Sequence, residues 1–119
     1  PAAIRLVDIA PTLLDVLGVP APGSLDGRSL APVLFGDSAL GSSIVGGRVP
    51  VVSELRNDAA DVRAVLEQGW KLAVDHRRGL SELYHLDMDP HERRNRIASE
   101  AERAASLRER LDRLTVRRP

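Results

Sequence analysis

The sequence contains no cysteine. Disulfides, a cysteine-ligated zinc and a cysteine nucleophile are therefore excluded within its 119 residues. Aromatic residues are scarce: Phe35, Trp70 and Tyr84 are the full set. A base-stacking platform needs several on one face. Lys+Arg and Asp+Glu both number 17, a formal net charge of zero, so the positive footprint of a nucleic-acid binder is missing. Lysine is nearly absent, since Lys71 is the one example. No apolar run approaches the roughly 20 residues of a membrane span, and no basic stretch leads into an apolar core at the start, so no signal peptide is expected. What remains is ordinary for a globular protein: 43% apolar and 29% charged residues, in a length that holds one domain or part of one.

The first helix is readable from its ends. Asp8 is placed as an N-cap, Pro11 falls in the first turn, and Gly18 follows the last periodic residue. Ile9, Leu13, Val16 and Leu17 share one face, which Leu14 widens. Val19 then takes the position of a Schellman contact, and Pro20 and Pro22 stop the helix. Asp26-Gly27 predicts a turn through the freedom of glycine at positive φ. Ser29 is placed to cap a short helix, about Leu30 to Phe35, ended by Gly36. Residues 36–48, rich in glycine and serine, predict a surface connection.

The period then changes. Val49 to Leu55 reads as a buried strand. Val62–Glu67 and Trp70–Asp75 alternate around Gln68-Gly69, a two-residue hairpin signal, and Glu82–Leu86 reads as a fourth strand. Short connections imply an antiparallel sheet. Asp89-Pro90-His91-Glu92 has capping-box spacing, with Asn95 interrupting the first turns of a helix. Ile97, Ala101, Ala104, Leu107, Leu111 and Leu114 form its apolar stripe, and Glu109→Arg113 is a favourable i, i+4 pair. The expected fold is α+β: a four-stranded antiparallel sheet packed by a long C-terminal helix and preceded by helices. Trp70 is expected to be largely buried between sheet and helix.

Residue chemistry offers no active site. Gly36 to Gly41 resembles a nucleophile elbow, but the second glycine is one position late and no strand precedes it. Asp87, Asp89 and Glu92 lack the glycine and distant glutamate of an EF-hand loop, and capping already uses two of them. His76, His85 and His91 are too separate for a zinc set. Ser53 and Glu54 are neighbours in a strand and point to opposite faces, so they are no nucleophile–base pair. Arg77-Arg78 and Arg117-Arg118 read as solvated ends.

The order of elements carries more. Val7-Asp8-Ile9-Ala10-Pro11-Thr12-Leu13-Leu14, the turn Leu25-Asp26-Gly27-Arg28-Ser29-Leu30, the strand Val51-Val52-Ser53-Glu54, the hairpin from Arg63 to Leu72, and Glu82 to Leu86 followed by Asp89-Pro90-His91-Glu92 and Asn95 together resemble the C-terminal end of the type I sulfatases of the alkaline phosphatase superfamily. His85 stands where that family commonly has aspartate. The resemblance implies a sulfuric ester hydrolase that uses a formylglycine nucleophile and a calcium ion. It implies an upstream catalytic sulfatase domain that holds both, because this chain has neither cysteine nor a Ser-x-Pro-x-Arg motif. No catalytic, cofactor-binding or metal-binding residue is transferred to it. Residues 1–48 would be the terminal helices and linker of the large domain, and residues 49–119 a small C-terminal sheet-plus-helix subdomain.

A subdomain of this kind supplies a wall of a substrate cleft, since pockets form at domain interfaces. The candidates are the polar connections 56–61 and 76–81, with Arg56, Asn57, Asp58, His76 and Arg77 as cleft residues. A phosphodiester or phosphonate ester hydrolase of the same superfamily, or a free interaction module, are the alternatives. The chain alone is expected to be inactive. Its first helix, with Leu13, Leu14, Val16 and Leu17, needs cover from the large domain or from a second copy in a homo-oligomer. No nucleic-acid or membrane partner is expected.

Overall fold

The structure, a computed structural model, describes residues 4–36 and 50–115. The described residues fall into two compact units, 4–36 and 50–115. The glycine-rich connection beyond Gly36 and the Arg117-Arg118 pair lie outside them.

In the first unit a 3-10 turn, Leu6–Asp8, runs into helix α1, Ile9–Val16. Asp8 stands at the N-cap position, but its backbone is already helical and its side chain does not cap. The preceding 3-10 turn has used that position, and the carboxylate turns back instead. It accepts the Arg5 N–H at 3.1 Å, the Arg5 Nη2 at 2.7 Å and the Arg28 N–H at 3.0 Å. Thr12 Oγ1 donates to the Asp8 carbonyl at 2.5 Å and accepts the Leu30 N–H at 2.9 Å. The helix ends as its sequence predicts. Gly18 has φ +66°, Val19 N–H reaches the Leu14 carbonyl at 2.8 Å, and Gly18 N–H reaches Asp15 at 3.0 Å, which is the Schellman pattern. Ser29 Oγ accepts the Ala31 N–H at 3.1 Å and donates to the Asp15 carboxylate. Helix α2 is shorter than expected, Ala31–Leu34.

Gly27 is needed for a different reason from the one its turn signal suggests. Its φ is not positive, but a Cβ there would collide with the Val7 carbonyl. The unit buries Asp8, Pro11, Thr12 and Ala31, while Ile9, Leu13, Val16 and Leu17 stay exposed.

Asp8 makes this unit acid-sensitive. Burial pushes its carboxyl up, but the Arg5 guanidinium and the Arg28 and Arg5 N–H groups outweigh burial and hold it below the ordinary 3.8. A carboxyl lowered by folding stabilises the fold above its ordinary value, and that contribution fades as pH falls through the folded one. Amide protection, relative to the intrinsic exchange rate, is therefore expected to fall in residues 5–31 below about pH 4. Asp8→Asn should remove that step, and an unchanged acid profile in the variant would refute the assignment.

The second unit is a meander in the order β1-β2-β3-β4, all antiparallel: β1 Val51–Arg56, β2 Asp61–Glu67, β3 Trp70–Asp75 and β4 Leu80–His85. Gln68 (φ 51°) and Gly69 (φ 77°) are both left-handed, the geometry that suits strand twist in a two-residue hairpin. A Cβ on Gly69 would also meet the Asp87 carboxylate. Helix α3, Ala101–Thr115, lies on one face of the sheet. Val65, Leu72, Val74 and Leu83 project from the sheet into a core shared with Ala104, Leu107 and Leu111.

Three expectations change. First, β1 is not buried. It is an edge strand, and Ser53 to Arg56 are exposed. Valine content alone does not separate an edge from a centre. Second, Trp70 is half-buried rather than enclosed. Its ring packs on the core with the Arg103 guanidinium carbon 4.9 Å from its centroid and the His85 ring perpendicular at 4.4 Å. Third, residues 89–92 form a turn, not a helix start, and α3 begins only at Ala101; of the expected stripe, Ile97 lies before the helix and Ala101 and Leu114 are exposed. Glu92 has φ 53°, and both its carboxylate oxygens take Lys71 Nζ at 2.8 Å. The Asp89 carboxylate accepts the Arg94 N–H at 2.8 Å. Asn95 Oδ1 accepts the N–H groups of Leu83 and Ile97, each at 3.0 Å, and Arg96 N–H reaches the Leu83 carbonyl at 2.8 Å. The segment after β4 thus pairs with that strand's outer edge.

Candidate functional site at the loop end of the sheet

The meander brings the β1–β2 and β3–β4 connections to the same end. Arg56 faces Asp61 across the first hairpin, and Asp75 faces Leu80 across the last. His76 N–H donates to the Asp61 carbonyl at 2.8 Å, which ties the second connection to the start of β2. All five residues of the sequence-based set, Arg56, Asn57, Asp58, His76 and Arg77, are therefore at this end and exposed.

Their side chains have different tasks. Asn57 Oδ1 accepts the N–H groups of Ala59 at 2.9 Å and Ala60 at 2.7 Å, so its amide builds the loop. Asp75 Oδ1 accepts the N–H groups of Arg77 and Arg78, each at 3.0 Å, and Arg78 Nε lies 3.7 Å from the other oxygen. Arg63 Nε sits 3.8 Å from Asp61 and 4.0 Å from Glu54. These links occupy Asp75 and Arg78, while Arg63 is shared between two carboxylates at long range and Asp61 Oδ1 is buried without a hydrogen bond. Among the described residues, the side chains of Arg56, Asp58, His76 and Arg77 make no hydrogen bond or ion pair with the protein, and these residues are exposed. Chemically, the end offers two guanidinium forks, one imidazole and one carboxylate. It can hold an anionic, hydroxyl-bearing ligand; it contains no activated nucleophile.

Asp61 and Asp75 lie outside the sequence-based set. Asp75, two residues before Arg77 and four before Gly79, carries an Asx-turn signal that sequence inspection could have used. Asp61 has no such signal, because its role depends on β3 lying beside it.

Other candidates do not assemble. Glu54 faces Arg63 and leaves Ser53 without a base. His76, His85 and His91 stay on separate elements, and among the described residues no three His, Asp or Glu side chains come together as a metal site. Asp89 and Glu92 are committed to Arg94 and Lys71. Hydrogen bonds from the Arg93 and Arg94 backbone outweigh desolvation and hold the Asp89 carboxyl below its ordinary value. At the far end, a groove of about 490 Å³ between the Gln68 turn and α3 is lined by Glu67, Glu100, Glu102 and Arg103, but Arg103 is stacked on Trp70 and Glu67 faces Arg110 at 3.7 Å. In the described residues no helix is long and apolar enough to cross a membrane.

No protein-family model matches the sequence. Individual proteins do. Arylsulfatase K of Rattus norvegicus is 35% identical over 105 residues, which is 84% of this chain and 18% of the rat protein. The chain thus spans about a fifth of the length of the curated relatives it matches. Among solved structures, a candidate sulfatase from Bacteroides thetaiotaomicron VPI-5482 superposes with TM-score 0.74 at 27% identity, covering 92% of this chain and 24% of the other. A 2-O GAG sulfatase superposes with TM-score 0.64 at 28% identity, covering 90% and 23%. The order of the sequence segments, the four-stranded meander under one helix and these relatives agree: the chain belongs to the sulfatases, as a C-terminal sulfatase segment.

Proposed function

We propose that this chain is the non-catalytic C-terminal part of a sulfate-ester hydrolase, and that the loop end of its sheet lines the substrate cleft of the whole enzyme. The observation that carries the reading is the similarity to arylsulfatase K across most of this chain but only about a fifth of the relative. By analogy with the 2-O GAG sulfatase, sulfated sugars are the proposed substrate class. Calcium and formylglycine do not fit here. The chain has no cysteine or Ser-x-Pro-x-Arg motif, and its described residues form no metal cluster. We assign both to a catalytic domain outside this chain, and no step of the chemistry is routed through these residues.

What this chain contributes is shape and charge. Residues 1–48 are proposed to belong to the catalytic domain and 49–119 to the small subdomain. The exposed Leu13, Val16 and Leu17 of α1 are proposed to pack on the catalytic domain. Apolar burial is worth about 25 cal/mol per Å², so leaving that face open favours self-association. Sedimentation of the chain alone should show homo-oligomers through this face, and a monodisperse monomer would overturn that proposal.

The activity reading has its own test. The chain with calcium should not hydrolyse an aryl sulfate. In the whole enzyme, a Gly-Ser insertion between Asp58 and Ala59 should raise KM for a sulfated sugar several-fold with kcat little changed. Turnover by the isolated chain, lost on mutation within it, would overturn the non-catalytic role. Unchanged kinetics in the insertion variant would overturn the cleft-lining role.

A further inference from the structure

At the loop end four arginines, Arg56, Arg63, Arg77 and Arg78, stand among four carboxylates, Glu54, Asp58, Asp61 and Asp75, and the fold pairs only two of the arginines. Arg56 stands directly across the hairpin from Asp61, the natural place for a cross-strand ion pair. Asp61 instead sits 3.8 Å from Arg63 on its own strand, a long contact that leaves its buried Oδ1 without a hydrogen bond. Asp75 in turn is occupied by Arg78 and by two backbone N–H groups. Among the described residues, Arg56 and Arg77 are left as unpaired, exposed guanidiniums on adjoining connections of one sheet end. The ends of β1 and β3 are two strand spacings apart, about 10 Å, and an arginine side chain is long enough for two forks to converge on one ligand across that span. Asp58 is the one exposed, uncommitted carboxylate of the first loop.

We propose that Arg56 and Arg77 form a subsite for a second anionic group of the substrate, a carboxylate or a sulfate other than the one cleaved, with Asp58 accepting neighbouring sugar hydroxyls. The inference rests on the cleft-lining reading above and adds the chemistry of what this wall recognises. Guanidinium presents parallel N–H donors that match both carboxylate and sulfate oxygens, whereas a lysine would act only as a point charge. Arg78 serves as the internal control, because it lies on the same turn but is already paired.

The test reads the arginine Nε–H signals of the chain by NMR during titration with four probes: glucosamine carrying 2-N- and 6-O-sulfates, glucuronate, unsulfated N-acetylglucosamine and inorganic sulfate. The expected result is a saturable shift of Arg56 and Arg77 with the disulfated sugar or with glucuronate, weakened about tenfold by Arg56→Gln or Arg77→Gln. Arg56→Lys should recover only part of the loss. Arg78→Gln should leave the affinity unchanged. Which of the first two probes saturates first separates a sulfate from a carboxylate as the group read. Shifts that are equal at Arg56, Arg77, Arg78 and Arg113, or that rise linearly with inorganic sulfate alone, would overturn the proposal, as would no shift at all. Because this readout needs no catalysis, its failure is distinct from failure of the cleft-lining role, which the loop insertion in the whole enzyme reports.

Discussion

Leu72→Ala should lower the stability of the sheet unit by about 3–5 kcal/mol. Leu72 is 1% exposed and stands between Val65 and Leu83 in the cross-strand row. Leu107 and Leu111 of α3 belong to the same core cluster. Truncation removes the transfer energy of the lost methyl groups and leaves a cavity that two neighbouring strands and a helix cannot collapse into. Small domains hold only about 5–15 kcal/mol in all, so the variant should melt at a visibly lower urea midpoint. Leu80→Ala is the control. That residue is 57% exposed, and its loss should stay within about 0.5 kcal/mol. Equal effects at the two positions would mean that α3 does not close over the sheet in solution.

The second large effect is expected at Gly27, in the other unit. A methyl group there would strike the Val7 carbonyl carbon and oxygen, which are backbone atoms and cannot rotate away. Gly27→Ala must therefore push the 25–29 loop off the 3-10 turn. The N–H of Arg28 would leave the Asp8 carboxylate, and Leu30 N–H would leave Thr12. Overpacking costs about 1–3 kcal/mol, and the bonds lost with it add to that. Amide protection at Arg28 and Leu30 should collapse while that of Leu72 and Leu83 stays at its wild-type level. Retained protection at Arg28 would refute the close approach.

The comparison of these two glycines shows where sequence reading ends. Gly69 is legible because Gln-Gly between two alternating runs already demands two left-handed residues, and the structure has them. Gly27 is conspicuous in the sequence for the wrong reason, since its requirement comes from Val7, twenty residues away. The same limit explains Glu92. Asp-Pro-x-Glu has the spacing of a capping box whether or not a helix follows. The deciding partner is Lys71, on a strand, which draws the carboxylate across and leaves the Glu92 backbone left-handed. Strands, hairpins and the Ala104, Leu107 and Leu111 part of the α3 stripe are local patterns and can be read directly, whereas Ile97 lies before the helix and Ala101 and Leu114 are exposed. The edge status of β1 and the half-burial of Trp70 depend on what lies beside each element, which no local pattern encodes. At the loop end, the grouping of Arg56, Asn57, Asp58, His76 and Arg77 follows from antiparallel connectivity. Which of them is spare follows only from seeing that Asp75 is bonded within its own turn and that Arg63, not Arg56, approaches Asp61.

The strand order also bears on how the unit forms. Each strand pairs only with its neighbours in the chain. Contacts between near neighbours need little loop closure, so low contact order favours rapid folding. The Gln68-Gly69 turn can bring β2 and β3 together on the microsecond scale of an isolated hairpin, about 1–10 μs, before either outer strand arrives. A hairpin alone is marginal, however, and α3 must fold back across it to bury Leu72 and Val65. Docking of the last helix is thus the step that commits the unit. Truncations that remove Leu107 and Leu111 should therefore leave a fluctuating hairpin in place of a weakened domain.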